Sequence, residues 1–431
     1  MDMKKIILFL MMLLWGQGAF ALSVIRDSEI ESTLTNYVRQ IFKAVNLPPE
    51  NAEIILINDP SINAFVAGGQ TIFVHTGLIT SAKSADDLVF VLSHETGHIV
   101  GGHITRGLAA MEKAQTTALI STLMGGLLAV VAGRPDAGIA VMLGSQSSAM
   151  GSFAGYRQTE ESSADRVAVD VVNKLGYSMQ GFTNVMKEIQ AQERLNADEF
   201  QNYMRTHPMT GDRRQNLQRF VDKAGPVKND KNFTRIKAKL AGFLWEPKLV
   251  RLKYAGESAD DIYARAIADY RDHKTDKALS ALESLLKTEP DNGYLYELKG
   301  QFEFESGRLS SAIKDYEKAV ELLPDAALIR ISLAQSLLER GAKGDAKTAL
   351  DHLNHATLTE ADSPLVWQLM ARAYAKMKQP AFADCAMAEF YLTTDKKDRA
   401  IQMAERALKK LPENSACSMR MHDILDKKEK D

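Results

Sequence analysis

His94-Glu95-Thr96-Gly97-His98 closes a stretch in which Leu88, Val89, Val91 and Leu92 are apolar, and its reading decides the first half of the chain. On a helix, residues four apart share a face, so His94 and His98 can aim ring nitrogens at one ion. Glu95 then lies beside that ion. Zinc lowers the pKa of bound water towards neutrality, and a carboxylate in this position can take the proton while the hydroxide attacks a polarised carbonyl. The pattern therefore points to metal-assisted peptide hydrolysis. Ser84-Ala85-Asp86-Asp87 predicts the start of the helix, with Ser84 as N-cap and an acidic residue three positions on. A nearly all-round apolar helix of this kind is buried.

A third ligand must come from elsewhere. His103 follows Gly101 closely, but one residue short of the position at which a third histidine follows H-E-x-x-H-x-x-G, where Ile104 stands instead. On a continuing helix His103 lies about 180° from His94, which predicts a structural or surface histidine. Glu161-Ser162-Ser163-Ala164-Asp165 is the stronger candidate. It falls in a predicted helix from about Thr159 to Leu175, with Val167, Val171 and Val172 on a core face and Gly176 as the stop. Glu161 and Asp165 share a face, so one can ligate the ion while the other steadies a ligand histidine through its second nitrogen.

Together the two motifs resemble the gluzincin peptidases of the HtpX and BepA type, relatives of the CAAX prenyl proteases, whose signature is H-E-x-x-H followed by E-x-x-A-D. Further pieces fit the family order: Asn63-Ala64-Phe65, Gly68-Gly69, Ile72-Phe73-Val74, Thr76-Gly77-Leu78, Tyr156-Arg157, then Thr206-His207-Pro208 with Thr210 and Arg213. Val66-Ala67 departs from the family's frequent Leu-Pro. The resemblance spans about residues 25 to 255. It implies that His94, His98 and Glu161 hold one Zn2+ per chain, that Glu95 is the general base, and that Asp165 supports a ligand. It also implies that His207 either stabilises the transition state or fills the water position in a closed form. The bare residues leave another reading of His207, a helix-start residue with Pro208 at the first helical position. Ile54 to Ile57 and Ile72 to His75 read as short strands around a Gly-Gly turn. An exposed edge strand near the metal would let an extended polypeptide add to the sheet, which makes Asn63, Ala64 and Phe65 the substrate-binding candidates.

The chain has 431 residues, 45% hydrophobic and 25% charged, with a net charge of -2. That is enough for two or three cores and not basic enough to predict nucleic-acid binding. Met1 to Ala21 carries Lys4 and Lys5, an apolar run from Ile6 to Trp15, and Ala19-Phe20-Ala21, the pattern of a cleaved secretory signal. The apolar run is short of the roughly 20 residues a spanning anchor needs. Between the two metal motifs, Ala118 to Ala132 and Ala137 to Leu143 are apolar around Gly133-Arg134-Pro135-Asp136. Two readings stand for this hairpin, about residues 115 to 150: a lid over the cleft, or a contact with a membrane surface or an unfolded partner through 118 to 143.

Past residue 255 a period emerges. Ala278 and Ala312, Pro290 and Pro324, and Gly307 and Gly341 repeat at the tetratricopeptide interval. Gly293 to Pro324 is the best copy, with Tyr296, Gly300, Gly307, Ala312, Tyr316, Ala319 and Pro324 at its small, aromatic and turn positions. A third copy carries extra residues after Gly341, and roughly four helical pairs are expected. Such an array leaves a concave surface suited to binding a peptide or protein. Cys385 and Cys417, expected on next-but-one helices, read either as a disulfide or as buried thiols.

The expected architecture is mainly α with a small β-sheet. A zincin-type metallopeptidase domain (22–255) follows the signal peptide (1–21) and precedes an α-solenoid of repeats (256–426). The resemblance implies a periplasmic peptidase acting on unfolded or assembling envelope proteins, reached through the edge strand and the repeats, in outer-membrane protein quality control. The rival is a chaperone-like assembly adaptor with a latched zinc site.

Overall fold

The computed structural model describes residues 23–103, 106, 158–195, 207–222 and 225–428. The expected signal segment, the apolar stretches at about 115–150, Tyr156-Arg157 and Thr206 lie outside them. The described residues are mainly helical, with one four-stranded sheet. None of their helices is long and apolar enough to cross a membrane. They divide into two compact units: 33–233 with the residues before Arg26, and 234–431 with Arg26–Ser32.

In the first unit the sheet comprises β1 (Val24–Ile25), β2 (Glu53–Ile57), β3 (Ala64–Ala67) and β4 (Thr71–His75), in the order β1-β2-β4-β3. β2 and β4 run parallel, with Ile55 opposite Phe73. β3 returns antiparallel on β4, with Phe65 opposite Phe73 and the rings stacked at 5.0 Å. The Ala-Phe-Val-Ala run of Ala64–Ala67 is too weakly patterned to read as a strand from sequence. Tertiary pairing with β4 makes it a strand, and its place at the end of the order makes it an edge among the described strands. Gly68 and Gly69 close the hairpin at φ of 63° and 106°, a backbone that side chains resist.

The helices around this part of the chain are α1 (Ser28–Ala44), α2 (Thr76–Ser81), α3 (Ala85–Gly101), α4 (158–174), α5 (Gln180–Leu195) and α6 (Gly211–Val221), of which α2 packs on β4 and α3 on β3. α3 is buried along its first thirteen residues, as its apolar run requires. Its start differs from the expected capping box. The Ser84 side chain caps no backbone group; its hydroxyl donates to Asp87, whose other oxygen accepts Lys83 N–H at 2.7 Å. Asp86 is fully buried and accepts backbone N–H groups from Ser178 and Lys228. These acids are therefore tethers for distant loops, since a buried carboxylate must be hydrogen-bonded. Gly176, at φ 71°, follows the end of α4 where the sequence places a stop.

In the second unit, α7 (Lys231–Leu244) and α8 (Pro247–Lys253) lead into five helical pairs. These are α9 (Ala259–Arg271) with α10 (Thr275–Thr288), α11 (Gly293–Glu305) with α12 (Leu309–Leu322), α13 (Ala327–Arg340) with α14 (Asp345–Glu360), α15 (Pro364–Lys376) with α16 (Pro380–Thr393), and α17 (Lys397–Leu408) with α18 (Ala416–Lys428). The pairing continues one pair beyond the expected four, because stacking on the preceding pair preserves it after the 34-residue phase is lost. Within the best copy, a Cβ on Gly300 would stand 3.2 Å from the Tyr316 ring, which accounts for the small residue there. The insertion after Gly341 is accommodated by Gly344 at φ 98°, ahead of α14. Cys385 and Cys417 form a disulfide, with Cα atoms 6.3 Å apart. Lys239, 1% exposed, is neutralised by Asp27 at 2.8 Å and Glu29 at 3.2 Å, and Tyr263 donates to Glu29.

Candidate metal centre

α3 and α4 meet at Gly97 and Ala164. A Cβ on Gly97 would lie 2.7 Å from Ala164 Cα and 2.9 Å from its carbonyl oxygen, so only glycine permits this approach. The close crossing sets Glu161, one turn before Ala164, against the histidines of α3. His94 Nε2 and His98 Nε2 are 3.2 Å apart, and the Glu161 oxygens lie 3.4 Å from each. His207 completes the group: its Nδ1 is 3.3 Å from His94 Nε2 and 3.2 Å from Glu161 Oε1. Ligand atoms of all four residues fall within 4.8 Å of one another, and all four residues are buried.

These separations test whether an ion fits. Four ligands placed tetrahedrally at about 2.0–2.1 Å from one ion stand about 3.3 Å from each other. The five separations given above, 3.2–3.4 Å, are close to that edge, with Glu161 presenting Oε2 to His94 and Oε1 to His98 and His207. Charge gives a second test. Glu95, Glu161 and Asp165 are 1%, 3% and 6% exposed, and Arg213 is paired with Glu161 and Asp165. Burial works against charge on His94, yet Asp165 and Glu161 outweigh it and raise its pKa to about 10. Burial and the neighbouring His94 and His207 charges push His98 down to about 2. The rise at His94 reflects the negative charge of Asp165 and Glu161, to which a divalent ion is complementary.

Glu95 lies on the opposite side of His207, with Oε1 3.4 Å from His207 Nε2. Burial raises its pKa above the ordinary carboxylate value, so it holds a proton more readily than an exposed glutamate. Asp165 Oδ1 stands 3.1 Å from His94 Nδ1, off the line of a straight hydrogen bond. Arg213 fixes Asp165 through Nε at 2.7 Å and Nη2 at 2.9 Å. Its Nη1 reaches Glu161 at 2.9 Å and the Pro208 carbonyl at 2.7 Å, fastening the His207 segment to both carboxylates. The sequence places Arg213 in the family order without a role, since nothing local reveals its partners.

Two sequence expectations are corrected. α6 begins at Gly211 with Thr210 as its cap, accepting from Arg213 N–H, so Pro208 is not its first residue and His207 starts no helix. His103 is a structural histidine and not a surface one, and the helix does not continue to carry it opposite His94. Gly102 ends α3 at φ 61°, and the reversal brings His103, 4% exposed, back to His98, with the two Nδ1 atoms 3.0 Å apart.

Asn63, Ala64 and Phe65 are not among the clustered ligands; Asn63 directly precedes β3, and Ala64 and Phe65 open it. The His75 N–H donates to the Asn63 carbonyl at 3.0 Å, and Asn63 Oδ1 is buried with no hydrogen-bond partner among the described residues. Ser61, His75 and Asp59 resemble a nucleophilic triad in composition but not in geometry. Ser61 Oγ at 2.8 Å and Asp59 Oδ1 at 3.4 Å both face His75 Nδ1, so the ring cannot relay a proton between them.

Residues 26–221 match peptidase family M48, and residues 263–327 and 303–373 match tetratricopeptide repeats. The chain carries a peptidase family M48 domain. It is homologous to the beta-barrel assembly-enhancing protease of Escherichia coli K12, 24% identical over 368 residues, covering 82% of this chain and 73% of that protein. The corresponding Yersinia pestis protein is 25% identical over 333 residues, covering 74% and 67%. The mitochondrial metalloendopeptidase OMA1 of Bos taurus is 28% identical over 186 residues, covering 42% and 34%. The protein is thus a metalloendopeptidase whose M48 domain is followed by tetratricopeptide repeats.

Proposed function

We propose that the protein is a zinc endopeptidase of the periplasm that cleaves unfolded or misassembled envelope proteins, among them outer-membrane proteins on their assembly path. The convergence of His94, His98 and Glu161 at tetrahedral spacing carries this reading. Two imidazoles and a carboxylate favour zinc over harder ions. When bound, zinc supplies Lewis acidity that lowers the pKa of water in the open position. Glu95 accepts that proton at its carboxylate and passes it to the leaving amine, a task matched by a carboxyl whose pKa burial has raised. Asp165 and Arg213 hold His94 and Glu161 in place. The outer edge of β3, unpaired among the described strands, takes the substrate as an added strand, with Asn63 hydrogen-bonding the extended chain.

The remaining assignments follow the same reading. Residues 1–21 direct export and are removed, 22–255 carry the chemistry, and 256–426 recruit clients. The names of the beta-barrel assembly-enhancing relatives support the role in outer-membrane assembly.

One observation favours a second reading, an assembly adaptor whose zinc is latched. His207 Nδ1 stands at the same spacing as the other ligands, where a catalytic site keeps an open position. The test compares the mature protein with its Glu95→Gln form for zinc content and casein cleavage. Equal zinc with cleavage only in the unsubstituted protein supports the peptidase. Zinc without cleavage in either, with cleavage appearing in His207→Ala, supports the latch. No zinc in either overturns the metal assignment.

A further inference from the structure

A histidine that ligates a metal through Nε2 must carry its proton on Nδ1, and that proton needs an acceptor when the ring is buried. For His94 the neighbour at Nδ1 is Asp165, 3.1 Å away. For His98 it is His103, whose Nδ1 stands 3.0 Å from His98 Nδ1 with the rings nearly perpendicular at 79°. Only one direction of this contact is compatible with a ligand at His98. If His103 donated, the His98 proton would sit on Nε2, the atom that faces His94 and Glu161. With His98 donating, His103 keeps its own proton on Nε2.

The backbone is shaped for this contact. Gly102, at φ 61°, reverses the chain, and its N–H bonds back to the His98 and Ile99 carbonyls. Gly101 leaves room for the returning ring: a Cβ there would lie 2.1 Å from His103 Nε2. His103 itself is 4% exposed. As an acceptor His103 is neutral, unlike the carboxylate beside His94, so it orients a ligand without adding a fourth negative charge to Glu95, Glu161 and Asp165.

We propose that His103 is a positioning residue for the metal site, accepting the Nδ1–H of His98 so that Nε2 is presented to the ion, with Gly101 as the space its ring occupies. This rests on the metal reading given above.

The test measures zinc affinity of the full mature chain by chelator competition, alongside melting of the metal-free form. Losing an outer partner of a ligand histidine costs roughly 10- to 100-fold in metal affinity. His103→Ala and His103→Leu should both show that loss. His103→Asn, whose side-chain oxygen can reach the place of Nδ1, should recover most of it. Gly101→Ala should weaken zinc binding when His103 is present and add little in the His103→Ala background, because the added methyl acts by displacing the ring. The proposal is overturned if His103→Ala binds zinc like the unsubstituted chain, or if Leu restores affinity and Asn does not, which would mark His103 as packing alone. An unsubstituted chain that binds no zinc would overturn the metal reading, and this proposal with it.

Discussion

Gly97→Ala tests the claim that a helix crossing, and not the H-E-x-x-H string alone, builds the centre. The new methyl would stand 2.7 Å from Ala164 Cα, 2.9 Å from its carbonyl oxygen and 3.1 Å from its Cβ. Carbon atoms settle at about 3.5–4.0 Å, so α3 and α4 must part by on the order of 1 Å. The first two atoms are backbone, and neither a rotamer change nor Ala164→Gly relieves them. Overpacking costs about 1–3 kcal/mol, while alanine in place of glycine within a helix returns about 1 kcal/mol. The metal-free protein should therefore lose at most about 2 kcal/mol. Metal binding should suffer more. Glu161 sits one turn from the crossing, and its oxygens now stand 3.4 Å from both histidine nitrogens. Ligand distances tolerate only about 0.2 Å, so zinc affinity should fall at least about 10-fold. Chelator competition reads the affinity, and thermal melting with and without chelator separates it from fold stability. A Gly97→Ala protein that binds zinc undiminished would refute the reasoning.

Arg213→Leu leaves Asp165 and Glu161 buried without their cation and should cost about 3–5 kcal/mol in the metal-free form, read by denaturant unfolding. Burial raises the Asp165 pKa, but Arg213 and His94 outweigh it and hold it below the ordinary carboxylate value. That stability is present above the unfolded value and lost as pH falls through the lowered one. Arg213→Leu should thus begin to unfold at a higher pH than the parent on acid titration, and coincident acid limbs would count against the clamp. Glu297 shows the opposite sign. Burial pushes it up to about 8 from an ordinary 4.5, with Asp27 and Glu29 adding to the rise and Lys239 opposing it. Its contribution is full below about 4.5, declines as pH rises towards 8, and is gone above it. Melting of the protein across that range should slope downward, and Glu297→Gln should flatten the slope.

The sequence by itself determined what depends on spacing within one element. Residues four apart face one way on any helix, so His94 with His98 and Glu161 with Asp165 were legible before any contact was known. The repeat period likewise fixed the small and aromatic positions at Gly300, Ala312 and Tyr316, because each repeat meets its neighbour in the same way. The signal for Gly97 was also present, a glycine inside an apolar helix, but its partner Ala164 was not. Tertiary structure decided which distant groups meet. His207 and Arg213 reach the centre from a loop and helix whose local sequence favours several starts. β3 becomes a strand by pairing with β4, and Asp86 becomes a buried tether by accepting from Ser178 and Lys228. His103 shows the difference most directly. Extended as a helix, its position points away from the metal ligands; one left-handed residue, Gly102, turns it back onto His98, and a single backbone dihedral of that kind is settled by what the reversed chain can pack against.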